Sequence, residues 1–160
     1  PGRFEPVVSA DPTAPLVVVD YAHTPDALER LIEGAREAAP EARCTVVIGC
    51  GGERDREKRP EMGRAALAAD RVVLTSDNPR GERPEAILSD MLSGMSESER
   101  ADVLVEVDRE AAIRRAILDA GPGEMVLIAG KGHETTQDSA DGTRHFDDRE
   151  IARTALEVDR

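Results

Sequence analysis

The chain has almost no aromatic residues: no Trp, one Tyr and two Phe, or 2% of the whole. So few flat rings cannot build the stacking platforms that hold single-stranded nucleic acid. Positive charge is in deficit too. Lys and Arg number 21 against 33 Asp and Glu, a net charge of -12 that opposes a phosphate backbone. Two cysteines, Cys44 and Cys50, make no disulfide framework and supply too few ligands for a metal site. Cys44 is expected in the core and Cys50, in a glycine loop, partly exposed, both suited to a reducing cytoplasm. No apolar run approaches the ~18 residues needed to span a bilayer. The opening "PGRFEPVVSADPTAP" lacks the apolar segment of a signal peptide. Residues 1–14 read as an extended linker from a preceding domain, and 15–160 as one folded domain, long enough to bury about two-thirds of its unfolded surface.

What the chain does have is β-branched runs. They are "LVVVDY" (Leu16–Tyr21), "CTVVIG" (Cys44–Gly49), "RVVLTS" (Arg71–Ser76), "VLVEV" (Val103–Val107) and "MVLIAG" (Met125–Gly130). Most are continuous rather than alternating, as in strands covered on both faces. Helical patterns fill the gaps. Thr24 and Pro25 open a helix that carries Ala27, Leu28, Leu31, Ile32 and Ala35 on one face. "EKRPEMGRAALAA" is the second. The third carries Ile87, Leu88, Met91 and Leu92. The fourth, capped by Asp108, carries Ala112, Ile113, Ala116 and Ile117. The last, capped by Asp147 or Asp148, carries Ile151, Ala155, Leu156 and Val158. Alternating strand and helix predict an α/β, Rossmann-like, doubly wound and mainly parallel sheet of about six strands with flanking helices. Ligands of such sheets bind beyond the carboxyl ends of the strands. The unusual segments of this chain fall there.

Each of these segments has two readings. In "GCGGERD" the glycines 49, 51 and 52 make a tight turn, or present N–H groups to an anion while Arg54, Lys58 and Arg59 converge on it. No dinucleotide fingerprint is present, because Arg54 stands where its last glycine would be, and no P-loop occurs anywhere. The basic cluster Arg54–Arg64 is otherwise a solvated helix start. "HETTQ" is not a zinc-protease motif, since Gln137 replaces the second histidine. Glu134 either binds a ligand ammonium or caps a helix, and His133 has no visible triad. Asp20 either accepts ribose hydroxyls or caps the helix after it, with His23 in the same turn. "TSDNPRGERPEAI" either ends a strand and starts a helix at Pro84, or forms a pocket for a charged ligand. Arg83 is expected at the surface.

Five segments in this order, "GRFEPV" (Gly2–Val7), "DYAHTPDAL" (Asp20–Leu28), "GCGGERDREKRPEMG" (Gly49–Gly63), "SDNPRGERP" (Ser76–Pro84) and "GKGHETTQ" (Gly130–Gln137), resemble the C-terminal domain of the Mur ligases. These are ATP-dependent, amide-forming enzymes of peptidoglycan synthesis. The resemblance is strongest to the branch that adds meso-diaminopimelate to a UDP-MurNAc-dipeptide. It implies that Asp77, Asn78, Pro79 and Arg80 read the amino acid, with Arg80 on its far carboxylate. Arg54, Gly130 and Glu134 would contact the same amino acid, and Arg3, Asp20 and His23 the nucleotide. It implies that ATP and Mg2+ are held mainly by a central domain outside these residues, so that no catalytic or metal-binding residue is expected here and these residues alone should not turn over. A cytoplasmic monomer with no nucleic-acid or membrane partner is expected. The rival readings are a non-catalytic ligand-binding module of the same fold, or a ligase of the folylpolyglutamate-synthetase type. The pair "DNPR" and "GKGHE" argues against the latter.

Overall fold

Six strands share one sheet in a computed structural model that describes residues 1–158. They are Glu5–Val7 (β1), Leu16–Asp20 (β2), Cys44–Ile48 (β3), Arg71–Leu74 (β4), Leu104–Val105 (β5) and Met125–Ala129 (β6). Their order is β1-β2-β6-β3-β4-β5, and all neighbours are parallel except β1 against β2. The architecture is the α/β sheet that the runs predict. Glu5–Val7, inside the stretch expected as a linker, is instead an antiparallel edge strand, paired as Glu5 with Val19 and Val7 with Val17. An edge position tolerates Pro6, which has no N–H to donate.

The helices follow from their caps and faces. Pro25–Ala38 (α1) starts where the Thr24 hydroxyl accepts from the Ala27 N–H at 3.2 Å. Lys58–Ala66 (α2) has no side-chain cap. Pro84–Leu92 (α3) starts on Pro84 itself. Glu97–Ala101 (α4), which no apolar pattern announces, is a short turn with a Ser96/Glu99 capping box. Arg109–Asp119 (α5) is capped by Asp108 and Asp148–Leu156 (α6) by Asp147. Leu28, Met62 and Leu88, from α1, α2 and α3, pack against Val46, Ile48 and Leu127 on one face of the sheet. Ile113 of α5 and Ala152 of α6 pack against Val47, Val73 and Ile128 on the other. Val158, expected on the inward side, is 46% exposed because α6 ends at Leu156. Thr136–Ser139 (β7) and Gly142–His145 (β8) form a separate antiparallel hairpin. Helices on one face carry the chain outward from β2 to β5, and α5 returns beneath the other face to insert β6 between β2 and β3. Crevices therefore open beside the carboxyl end of β6.

One buried cation pins that end of the sheet. Arg109 is fully buried. Its Nε and Nη2 donate to both oxygens of Asp148 at 2.9 and 2.8 Å. Its Nη1 and Nη2 also donate to the carbonyls of Ser76 and Ala129, at 3.1 and 3.0 Å. One guanidinium thus joins the segments that leave β4 and β6 to the start of α6. Removing one partner of a buried pair strands the other charge, which costs roughly 3–5 kcal/mol. Asp148→Ala is expected to lower unfolding stability by about that amount in urea denaturation. A loss below about 1 kcal/mol, the range of an exposed pair, would show that Arg109 is not the pin.

Candidate functional site

Three loops leave the carboxyl ends of the strands beside β6, and their backbones touch. Gly52 N–H donates to Asn78 O at 2.7 Å. A Cβ on Gly52 would stand 1.8 Å from Pro79 O, and one on Gly49 2.2 Å from Thr75 O. These glycines exist for close approach of the β3–α2 loop to the β4–α3 loop. The backbone of "GCGG" makes a tight turn, and the Gly52 N–H is committed to Asn78 rather than free for an anion.

The basic cluster after this turn divides in two. Arg59 is not in the group that faces a ligand. It is 1% exposed, donates to Glu82 at 2.6 and 3.2 Å and to Asp90 at 3.0 Å, and reaches Gly51 O at 3.1 Å. Glu82 also accepts from the Glu53 N–H at 2.6 Å and pairs with Arg56 at 2.9 Å. This brace locks the two loops together, and the Arg59 guanidinium holds the Glu82 carboxyl down to about 2. Arg54 and Lys58 are exposed and line a cleft of about 400 Å3 with Asp77, Arg80, Gly130 and Glu134. Tyr21, His23, Cys50 and the exposed Asp55 are also among its lining residues. Burial, helped by Asp77, pushes the Cys50 thiol up to about 12, so it is no thiolate nucleophile at neutral pH. Arg83 is exposed, as expected.

Arg80 sits in the left-handed region at φ +52. A long side chain in that conformation is uncommon and marks a position fixed by its surroundings. The hairpin does the fixing. Arg80 N–H donates to Asp138 O at 3.0 Å, and Asp138 N–H donates to the Asn78 side-chain oxygen at 3.0 Å. Gln137 Nε2 donates to Asp77 O at 2.8 Å, while its oxygen accepts from Arg144 at 3.0 and 2.7 Å. Among the described residues the Arg80 guanidinium itself donates to backbone oxygens alone, Gly52 O at 2.8 Å and Asn78 O at 3.5 Å. Among the described residues neither Arg80 nor Arg54 has a carboxylate within 4.0 Å.

Five of the seven residues expected to contact an amino acid, Arg54, Asp77, Arg80, Gly130 and Glu134, thus share one cleft. Asn78 does not line it but lies beneath, 8% exposed. Pro79 faces a hollow on the far side of the loop, with Ser76 and Val107. Glu134 caps no helix, since β7 follows it. Arg3, Asp20 and His23 line a neighbouring cleft of about 510 Å3, and His23 belongs to both. Asp20 does not cap α1, whose cap is Thr24. Its two oxygens instead accept from the Phe4 and Ala22 N–H groups, each at 2.7 Å. Arg3 lies over the Tyr21 ring at 5.9 Å, and that ring also packs on His23 and His133.

Sequence reasoning missed Lys131, Gln137 and the Arg109 pin. Lys131 is fully buried, with its ammonium 2.9 Å from Asn78 Oδ1, 3.3 Å from Glu134 Oε2 and 3.6 Å from Asp77 Oδ1. Lys131 stands between two glycines that adopt φ +111 and +54 in the fold. Asp77 is raised above the usual carboxylate range by burial, against the pull of Arg109 and Lys131.

The family model of the Mur ligase, glutamate ligase domain, matches residues 2–132. Two curated relatives are UDP-N-acetylmuramoyl-L-alanyl-D-glutamate–2,6-diaminopimelate ligases. The one from Synechococcus elongatus is 55% identical over 98% of this chain, and the one from Solibacter usitatus 56% identical over 98%. This chain covers 31% of each, so it spans about a third of the length of the curated relatives it matches. A solved structure of a ligase of the same name superposes with a TM-score of 0.88 at 43% identity, covering 98% of this chain and 31% of that one.

The brace gives a pH dependence with a definite sign. Glu82 is depressed in the folded chain, so its stabilisation is complete above about 4.5 and is lost as pH falls through about 2. The stability gap between wild type and Glu82→Gln, from urea midpoints, is expected to be constant near neutrality and to shrink across that acid window. A gap that does not change across it contradicts the brace.

Proposed function

The chain belongs to the Mur ligase family, and we propose that it is the amino-acid-binding domain of a ligase that joins meso-diaminopimelate to a UDP-MurNAc-dipeptide at the expense of ATP. The observation that carries this reading is the charge pattern of the 400 Å3 cleft, where Arg54 and Arg80 have no carboxylate partner among the described residues and Asp77 and Glu134 stand beside them. Diaminopimelate carries two carboxylates and two ammonium groups, and lysine lacks the second carboxylate. A guanidinium fork is suited to a carboxylate because it donates two parallel hydrogen bonds. Arg80 takes the far carboxylate. Glu134 and the Gly130 carbonyl take the ammonium beside it. Arg54 steers the rest of the molecule, and the near amine is left at the mouth of the cleft. The names of the curated relatives support the same substrate.

ATP supplies the phosphoryl group that activates the acceptor carboxylate for attack by that amine. The exposed Arg3 and His23, with the remaining lone pairs of Asp20, form one wall for the nucleotide. Among the described residues no group of three or more His, Cys, Asp or Glu converges to hold Mg2+, and no step is assigned to the ion in this domain. What these residues contribute is positioning, which converts a bimolecular attack into an effectively unimolecular one. The same reading makes the protein a cytoplasmic monomer. Among the described residues no helix is long and apolar enough to cross a membrane, and a net charge of -12 disfavours nucleic acid.

In the full-length ligase that carries this chain, Arg80→Ala is expected to raise KM for meso-diaminopimelate roughly 10- to 100-fold, the worth of a charged hydrogen bond, with KM for ATP changed less than about twofold. An unchanged KM for diaminopimelate would refute the assignment of the cleft.

A further inference from the structure

We propose that Lys131 is a positioning residue for the amino acid: its buried ammonium fixes the Asn78 amide beneath the cleft, and with it which oxygens of Asp77 and Glu134 face a ligand ammonium. The proposal rests on the cleft reading above. It starts from a cost. An isolated ammonium is expensive to bury, so a lysine with 0% exposure must be paired on every side. Among the described residues each polar side chain that the Lys131 ammonium meets belongs to the cleft or its floor: Asn78 Oδ1 at 2.9 Å, Glu134 Oε2 at 3.3 Å and Asp77 Oδ1 at 3.6 Å.

The first consequence is the orientation of an amide. Asn78 Oδ1 accepts from Lys131 and from the Asp138 N–H at 3.0 Å, which uses both lone pairs. A flipped amide would set its NH2 against an ammonium and an N–H. Asn78 therefore points its donors at Glu134 Oε2, 3.4 Å away, and helps to hold that carboxylate in place. The second consequence concerns the carboxylates. Lys131 donates to Glu134 Oε2 and forms an ion pair with Asp77 Oδ1 at 3.6 Å, while the other oxygens, Asp77 Oδ2 and Glu134 Oε1, receive no hydrogen bond from the described residues. A Cβ on Gly130 would stand 3.0 Å from Asp77 Oδ2, so glycine there keeps that oxygen open. The third is local charge. The Lys131 ammonium stands between the side chains of Asp77 and Glu134 and offsets the repulsion between them. The local backbone commits Lys131 to this place. Gly130 and Gly132 both have positive φ, and a Cβ on Gly132 would meet Gly2 O and the Tyr21 Cβ, each at 2.7 Å.

The test uses the full-length ligase with Lys131→Met, which keeps the volume and removes the charge, and Lys131→Gln, which keeps a donor and serves if the first variant does not fold. Both are expected to raise KM for meso-diaminopimelate roughly 10- to 100-fold, with kcat at saturation and KM for ATP and for the UDP-linked dipeptide changed less than about twofold. In a Glu134→Gln background the effect of Lys131→Met should shrink, because the ammonium acts through that carboxylate. A KM for diaminopimelate that is unchanged in a folded variant overturns the proposal, as does a rise shared by all three substrates. Arg80→Ala is measured in parallel. If it raises KM for diaminopimelate and the Lys131 variants do not, the role of Lys131 falls alone. If it too leaves KM unchanged, the cleft reading itself has failed.

Discussion

The structure depends on one buried guanidinium. Arg109 reaches from the start of α5 to the carbonyls of Ser76 and Ala129 at the carboxyl end of the sheet and locks on the carboxylate of Asp148. Ser76 and Ala129 are the residues immediately before Asp77 and Gly130. The two segments that line the cleft from β4 and β6 therefore leave their strands from a fixed separation. A buried ion pair is weak evidence for stability in itself, since desolvation offsets much of the Coulomb gain. Its value here is placement, because an apolar substitute could not hold two carbonyls and a helix start in one plane.

From that pin outward, charge is divided between internal use and external use. Arg59 is consumed by Glu82 and Asp90, and Lys131 by Asn78, Glu134 and Asp77. Arg80 and Arg54, by contrast, meet no carboxylate among the described residues. The hairpin β7–β8 completes the division by holding Arg80 in a left-handed backbone conformation through Asp138. A sequence so acidic could have neutralised both arginines at little cost. In the proposed reading they are left for the carboxylates of diaminopimelate.

The parallel strands β2, β3, β4 and β6 were legible because they are continuous apolar runs, a pattern that burial on both faces requires, whereas the run Val103–Val107 gives only the two exposed edge residues Leu104 and Val105 of β5. The caps at Thr24 and Asp108 were legible because each stands directly before an apolar period of helical spacing, and the last cap was legible as one of two aspartates, of which the fold uses Asp147. β1 was not, since three residues with a central proline carry no strand signal and pairing on β2 alone decides them. The hairpin was not, since "TQDS" and "GTRH" are polar and are held by Asn78, Asp77 and Arg80 rather than by a core. Most of the cleft residues could be named from their motifs. The charges that organise them could not. Arg109 and Asp148 lie 39 residues apart and Lys131 and Asn78 53 apart, and before folding each looks like any solvated charge. Pro79 shows the opposite limit, because it belongs to the motif yet faces away from the cleft.

The central claim is that this cleft holds diaminopimelate with its far carboxylate on Arg80. A crystal structure of the protein with meso-diaminopimelate tests it most directly. The account predicts a carboxylate within hydrogen-bond distance of the Arg80 guanidinium and an ammonium beside Glu134 and the Gly130 carbonyl. Ligand density absent from this cleft at saturating concentration, or lying instead against Arg3 and Asp20, would contradict it.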